Sequence, residues 1–592
     1  MLRRTFVVVS TLCAVLTAAC DPGQTVGTPS QMQNSPVPTV CNKDEVRTSE
    51  GCIALPTIKV DTVGYLVERT KIATVPVTTE KTKFQIVDPE TDEVVFEGEL
   101  TAAQDNVDTA DKTQNADFSE LTTPGTYVVR IDGFDDSPPF KIDANVWDNA
   151  LNVVMLGLYG LRCGVDINFE YHGSTYKHKA CHVHDAIDGA TFAGGLWNDD
   201  GKDRDGSGGW HDAGDYGKYT VNASFALAFL FKAWEDFGDK LGKVKHIPNY
   251  DGKLPQWLSE SKFQMDQILK MQLPDGSASH MIAPQAFPGT ILPDADNIPR
   301  HFTGPGTGAT ADLVAIAAMA ARVFRSLDSD YADKCLAAAQ RGQAFLDASP
   351  TVISPSFDGF THNAYNRSQD AGERFWALAE LWRTTGDAEL LSRVEAALPA
   401  SAKSNYDWGD VANLGLFTYV QATGDGRDAT KLEAAKKAVI DSAKILVQNS
   451  SNHAYGRSLG STYYWGVNGV LARTATNLFV ANQIAPDDAY LDAVAKQIDH
   501  LFGRNPFGRT MVTGLGFLPA NSPHHRPSQG DGVFNAWPGL LVGGPNSQSD
   551  TAKAQGAAPG RAWYDSDGDY YVNEIAINWN TALAYALAGF YQ

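Results

Sequence analysis

Two textures of hydrophobic patterning divide the chain. From Ile58 to about Ile142, short alternating or β-branched runs (IKVDTVGYL, KIATVPV, KFQIVD, VVFEGEL, TYVVRI, PFKID) are separated by turn clusters such as PETDE, TPG and DGFDD. A period of two marks strands with one buried face, and about seven of them predict a small β-sandwich of immunoglobulin type over 58–144. After Asn145 the apolar residues recur at helical spacing in Ala- and Leu-rich segments, several of which stop at Gly386 or before Pro486. Twelve helices are predicted, near 147–162, 219–237, 256–271, 309–326, 330–348, 370–385, 387–398, 408–424, 427–448, 463–482, 487–503 and 575–591. Twelve helices in one domain, 145–592, pair as six hairpins in a double ring.

The N-terminus has a different pattern. Residues 1–19, MLRRTFVVVSTLCAVLTAA, place two arginines before an apolar run and small residues, the layout of an export signal and not of a membrane span. The run ends in Leu16-Thr17-Ala18-Ala19-Cys20, which resembles the bacterial lipobox, with Cys20 lipidated as the mature N-terminus. An ordinary secretory signal with an incidental cysteine is the alternative. The expected location is therefore a bacterial membrane reached through a lipid anchor, or the medium if Cys20 is incidental. Residues 20–57 are rich in Pro, Thr, Gln, Ser and Asn, as a flexible tether would be. Cys41 and Cys52 in this exported segment predict a small disulfide loop, and Cys335 a buried free thiol. No other segment has 18 uninterrupted apolar residues, so the mature body is read as soluble and monomeric, touching the membrane only through lipid.

Composition narrows the function. In 592 residues, 43% are apolar and 10% aromatic, enough to fill a large core. Against 70 Asp and Glu stand 48 Lys and Arg, for a net charge of −22, and losing Arg3 and Arg4 with the signal lowers it to −24. A nucleic-acid-binding face needs concentrated Lys and Arg, so nucleic acid is excluded as a partner. An acidic enzyme acting on a neutral ligand fits.

Two long non-helical stretches, roughly 164–218 and 504–574, are dense in Asp, His, Trp, Tyr and Gly, and loops of that length are usually functional. The first contains Gly209-Trp210-His211-Asp212-Ala213-Gly214-Asp215. Asp212 and Asp215, with small residues between them, point two carboxylates at one place in a tight turn, where one can hold a water for the other. A calcium-binding or turn-capping pair is the alternative reading. In the second stretch Glu574 lies among aromatic and apolar residues at the entrance of the last helix. Desolvation there raises its pKa, as a general acid requires, while the helix dipole opposes this. A plain first-turn Glu is the alternative.

These residues resemble those of the family 9 glycoside hydrolases, mostly bacterial and plant cellulases, and best the bacterial subgroup with an N-terminal immunoglobulin-like domain. The matching motifs are the DAGD turn at 212–215, Pro523-His524-His525-Arg526, and Trp563, Asp565, Tyr570, Glu574, Ala576 and Asn580 at the family spacing. The resemblance implies a multidomain fold, an Ig-like β-sandwich followed by an all-α (α/α)6 barrel. It implies that Asp215 is the base, that Asp212 holds its water, and that Glu574 is the acid of an inverting reaction with base and acid about 6.5–9.5 Å apart. His524 and Arg526 resemble the pair that hydrogen-bonds the sugar, and Asp565 a further active-site acid that orients its neighbours. Leu518 stands where the family has Asn, Lys or Arg. Trp210, Tyr463, Tyr464, Trp465, Trp537, Trp563 and Tyr570 are candidates for stacking on sugar rings, with core packing as the alternative for each.

Cys163, Cys181, His182 and His211 make a donor set for a closed tetrahedral zinc site, with a Cys163–Cys181 disulfide as the rival. Similar family members carry a structural zinc on this pattern, which here would fix the loop bearing Asp212 and Asp215; His178 and His184 are nearby spares. Family members often bind calcium in a loop that here runs from Thr361 to Glu373, but Arg367 and Gly372 stand where acids are expected, so this site is read as weakened or lost. The acidic turn 199–205 is a further cation candidate or a solvated turn. The activity expected is endo-acting hydrolysis of β-1,4-glucosidic bonds in cellulose or related β-glucans. The alternatives are an exo-acting cellodextrinase or exo-β-glucosaminidase on the same fold, or a carbohydrate-binding surface lipoprotein without catalysis, against which the full acid and base set argues.

Overall fold

The computed structural model describes residues 41, 44–76, 81–183, 204–250, 252–355, 357, 359–424 and 426–592. The signal, the lipobox, most of the tether, His184 and positions 199–203 of the acidic turn lie outside the described residues.

The first elements are a hairpin, β1 (Glu45–Thr48) and β2 (Gly51–Ala54), with Cys41 and Cys52 joined in the expected disulfide. This hairpin falls inside the stretch read as flexible tether, whose polar composition masks a four-residue pairing. The sandwich follows with seven strands: β3 (Ile72–Pro76), β4 (Lys83–Val87), β5 (Val94–Glu99), β6 (Gln104–Asn106), β7 (Asp111–Asp117), β8 (Gly125–Arg130) and β9 (Phe140–Ile142). They form sheets of order β3-β7-β6 and β5-β4-β8-β9. Alternation works as expected: Phe84 and Ile86 of β4 and Val129 of β8 point into a core centred on Tyr65, whose ring meets Phe118 and Phe140 edge-on at 5.3 Å each.

The second domain holds fifteen helices among the described residues. Twelve are the predicted ones: α1 (Asp148–Gly160), α2 (Thr220–Phe237), α3 (Gln256–Lys270), α4 (Thr307–Phe324), α5 (Ser329–Ala348), α6 (Ala371–Thr385), α7 (Ala388–Ala396), α8 (Ala412–Gln421), α9 (Ala429–Asn452), α10 (Val467–Ile484), α11 (Asp488–Leu501) and α15 (Ile577–Ala588). Helices α2, α4, α6, α8, α10 and α15 form an inner ring, each backed by an outer helix, as α4 by α5 and α15 by α1. Position in the ring explains composition. Every residue of α15 is buried, so it is mostly apolar or small, and its buried Asn580 bonds Gly539 O and Leu541 N. The outer α9 buries only Ala435, Val439, Ser442, Ala443, Leu446 and Ser450, one stripe at helical period.

The loops between helices carry the remaining elements. A hairpin of β10 (Ile167–Tyr171) and β11 (Ser174–His178) follows α1, and β12 (Lys218–Tyr219), β13 (Met281–Pro284) and β14 (Arg300–Phe302) form a small sheet at the mouth of the ring. Short helices α12 (Arg526–Gly530), α13 (Asp550–Gln555) and α14 (Tyr570–Asn573) punctuate the last loop. The sandwich packs on the barrel. Thr62 N donates to Phe502 O at 3.0 Å, Trp147 Nε1 to Gly64 O at 2.9 Å, and Arg561 pairs with Asp111 at 2.7 Å.

Candidate active site and metal centre

The Asp212–Asp215 turn is fixed from both ends of the ring. Residues just after α1 pair with those just before the turn: Cys163 N donates to Gly209 O at 2.7 Å and His211 N to Leu161 O at 2.8 Å. From the other side, Ile577 N, at the start of α15, donates to Asp212 O at 2.9 Å. Gly214 is the point of closest approach, since a Cβ there would lie 2.4 Å from His524 O and 3.3 Å from Glu574 Oε1. Any side chain at 214 would push the turn away from Glu574.

The three expected carboxyls meet in this place, Asp212 and Asp215 buried and Glu574 half-buried. Asp212 Oδ1 accepts from Asn222 Nδ2 at 2.8 Å and its Oδ2 from the Tyr365 hydroxyl at 2.7 Å. Asp215 Oδ2 accepts from Gly217 N at 2.9 Å and the Tyr219 hydroxyl at 2.8 Å. Glu574 follows α14 in extended conformation, three residues before α15 begins, so it sits outside the first helical turn and the dipole expected to favour its anion is weakened. Burial, then repulsion from Asp215 and Asp212, pushes its carboxyl up to about 8, with the Gly214 amide and Arg526 opposing. Burial and the Asp215 charge push Asp212 up to about 8 as well. Carboxyls crowded together repel one another's charge and cannot all ionise readily.

The C-terminal loop assembles around Asp565. Its carboxylate accepts from Arg509 Nη2 at 2.6 Å, from the amides of Asn521 and Ser522, and from Asn573 Nδ2 at 3.1 Å. Asp565 thus holds the segment before His524 and the residue before Glu574. His524 donates Nδ1–H to Asp567 O at 2.7 Å, leaving Nε2 as the free acceptor of a neutral ring whose pKa burial lowers. Arg526 reaches the Gly214 carbonyl with Nη1 and Pro288 O with Nε at 3.1 Å, so it braces the DAGD turn itself.

The aromatic candidates divide. Trp465 and Tyr570 are each 40% exposed, 5.5 Å apart, with Tyr571 stacked on Tyr570 at 4.5 Å and His524 5.8 Å from it. They form an open platform beside Glu574. Trp210 corrects its expected role: it is buried, and its indole N–H donates to Glu260 Oε1 at 2.8 Å, so it offers no face to a ligand. Trp537 and Trp563 are also core residues, bonded to Asp531 and Asn573. Tyr463 hydrogen-bonds Asp108 of the sandwich.

Beside the turn, the donor atoms of Cys163, Cys181, His182 and His211 lie within 4.8 Å of one another. The sulfurs are 3.7 Å apart, too far for the rival disulfide, and both thiols are free. A tetrahedral ion bound at about 2.3 Å to sulfur and about 2.0 Å to nitrogen separates S–S by about 3.8, S–N by about 3.5 and N–N by about 3.3 Å. The observed edges are 3.7 Å for S–S, 3.5 and 3.7 Å for S–N, and 3.3 Å for N–N. The four residues fit a metal ion. His182 Nε2 meets the buried Asp296 at 3.3 Å, an outer partner that fixes its ring and that the sequence pattern did not reveal. His178 bonds Lys179 O and lies outside the cluster. In the loop read for calcium, the Arg367 guanidinium faces Glu373 at 2.6 Å, and Asp205 of the acidic turn pairs with Lys270 at 2.8 Å.

Asn222, Tyr219 and Tyr365 were missed by sequence reasoning. Tyr219 lies four residues after Asp215 and Asn222 is in the first turn of α2, so their nearness was available. Tyr365 is 153 residues from Asp212, and no local pattern links them.

The family model "Glycosyl hydrolase family 9" matches residues 147–587, and "Cellulase N-terminal ig-like domain" matches 54–136. Endoglucanase D of Acetivibrio thermocellus is 40% identical over 90% of this chain and 83% of its own length. A xyloglucan-specific endo-beta-1,4-glucanase of Bacteroides ovatus is 30% identical over 89% of this chain and 92% of its own. Among solved structures, a Zn-binding triple mutant of the GH family 9 endoglucanase J30 superposes with a TM-score of 0.84 at 33% identity, covering 89% of this chain and 99% of that one. The fold, the motif order and these matches agree, and the chain belongs to glycosyl hydrolase family 9.

Proposed function

We propose that the protein is an endo-β-1,4-glucanase that hydrolyses cellulose-like β-glucans with inversion. The observation that carries this is the convergence of buried Asp212 and Asp215 with half-buried Glu574, whose carboxyl is pushed up to about 8. Glu574 gives its proton to the glycosidic oxygen as the bond to the anomeric carbon breaks. Asp215, anchored through Oδ2 by Gly217 and Tyr219, uses its other oxygen to take a proton from the water that attacks the opposite face. Asp212 helps to hold that water. The His524 Nε2 and Arg526 bond the sugar next to the scissile link, and Trp465 and Tyr570 stack on neighbouring rings.

The Cys163, Cys181, His182 and His211 centre is a structural zinc site. Its donor set and edge lengths support that reading, since four protein ligands would fill a tetrahedral shell. When bound, the ion contributes to folding and fixes His211, the residue before Asp212. The N-terminal signal and Cys20 support export and lipid anchoring of the enzyme.

The deciding assay is product analysis on carboxymethylcellulose, cello-oligosaccharides, xyloglucan and chitosan oligosaccharides. Falling viscosity with mixed products and an α-configured new reducing end is expected. Monomer-only release would replace the endo reading, a β-configured product would overturn inversion, and no hydrolysis would refute the enzyme.

A further inference from the structure

The loop from Thr361 to Asp370 delivers Tyr365 to Asp212, and a cluster of buried acids lies where that loop enters α6. Asp312 of α4 and Glu373 of α6 are wholly buried, and Asp370 nearly so. Neither oxygen of Asp312 meets a hydrogen-bond donor. Burial first, then mutual repulsion, pushes Asp312 well above its usual range, and burial pushes Glu373 up to about 7; Arg367 opposes both shifts. Its Nη1 meets Glu373 Oε1 at 2.6 Å and donates to Trp408 O, while its own carbonyl accepts from Ser354 Oγ at 3.0 Å. The guanidinium lies 6.0 Å from the Trp408 ring, and that ring packs edge-on against Tyr365 at 4.9 Å. Contacts therefore run unbroken from Arg367 through Trp408 to Tyr365 and Asp212.

A calcium ion needs six to eight oxygens with no competing cation among them. This cluster already contains a cation, covalently attached to the loop, so the residues do not fit the ion that the family resemblance implies. We propose that Arg367 is a built-in cation standing in place of that ion, and that it is a positioning residue holding Tyr365 on Asp212 independently of free calcium. This rests on the catalytic reading of Asp212 above.

The test compares wild type with Arg367→Ala, Arg367→Lys, Tyr365→Phe and the Ala/Phe double variant, each with and without millimolar calcium. Wild type is expected to keep its kcat and melting temperature when calcium is added. Arg367→Ala is expected to lose about 10- to 100-fold in kcat, with a smaller change in KM. Arg367→Lys recovers part of that loss, and the double variant falls no further than the worse single one, because both act on the same contact. Calcium added to Arg367→Ala restores part of its kcat and melting temperature. A calcium-stabilised wild type, an unimpaired Arg367→Ala, or multiplicative losses in the double variant would each overturn the proposal. If Arg367→Ala does not fold, Arg367→Lys and the calcium response of wild type decide. Asp215→Asn, assayed alongside, separates the two readings: its activity would refute the catalytic assignment, whereas its inactivity beside a normal Arg367→Ala refutes only the role of Arg367.

Discussion

Glu574 carries the sharpest consequences at the scale of one residue. Its carboxyl is raised from 4.5 in the unfolded chain to about 8 in the fold. Folding therefore favours its proton. That contribution to stability is complete below pH 4.5, declines above it, and is gone once pH passes about 8. The acid form needed for leaving-group protonation is lost over the same upper range, so kcat/KM is expected to fall on an alkaline limb near pH 8. Glu574→Gln should reduce turnover by about 10²–10⁴-fold, abolish that limb, and melt higher than wild type at pH 9 while gaining nothing at pH 4. Rate profiles and calorimetry at the two pH values check this, and an unchanged alkaline limb in the variant would reassign the acid. Glu574, Asp212 and Asp215 were legible because short motifs at fixed spacing carry them. Tyr365 was not, because its hydrogen bond to Asp212 spans 153 residues.

At the scale of elements, loops set the chemistry and helices set the loops. The pairing of 161–163 with 209–211 brings Cys163 beside His211 and aims the next residue, Asp212, into the site. Purified protein is expected to contain one zinc per chain. Cys163→Ser should lose it, melt lower, and lose kcat more than affinity, and elemental analysis with thermal melts tests this; a zinc-free wild type of normal stability would reject the site. The platform gives a separate expectation. Trp465→Ala should raise KM for longer cello-oligosaccharides by about 2- to 12-fold, the worth of one aromatic stacking contact, with little change for the shortest substrate. Equal KM across the series would place the substrate elsewhere. Trp210 marks where element-level reading failed. An aromatic in a functional loop is written the same way whether its ring faces a ligand or, as here, Glu260 in the core.

At the scale of the molecule, the sandwich is part of the catalytic body's support. Thr62 bonds Phe502 and Thr510, Arg504 reaches Thr74, and Asp108 holds His453 and Tyr463, the latter two residues before Trp465. Asp61 and Asp499 are buried together at this junction; burial raises both, with Asp61 also raised by Asp499. A chain beginning at residue 145 would expose Asp499, Phe502 and Arg504. It is expected to melt several degrees lower and to bind long substrates more weakly, and calorimetry with kinetics on the shortened chain checks both. An identical melting temperature would make the sandwich a mere appendage.

The twelve helices, five of the seven strands and the catalytic motifs were set by the sequence alone, because side-chain periodicity and local spacing encode which face is buried; the polar β6 and β7 gave no such signal, and the run at 58–66, read as a strand, makes only single bridges at Lys59 and Tyr65. What the tertiary structure decided is contact across the chain: Tyr365 on Asp212, Arg367 among Asp312 and Glu373, Asp296 on His182, and Trp210 turned inward. It also drew a hairpin from the polar stretch at 45–54. Each of these depends on how rings and loops close over residues far apart in sequence, where the desolvation that shifts Glu574 and orders its partners is a property of the packed whole.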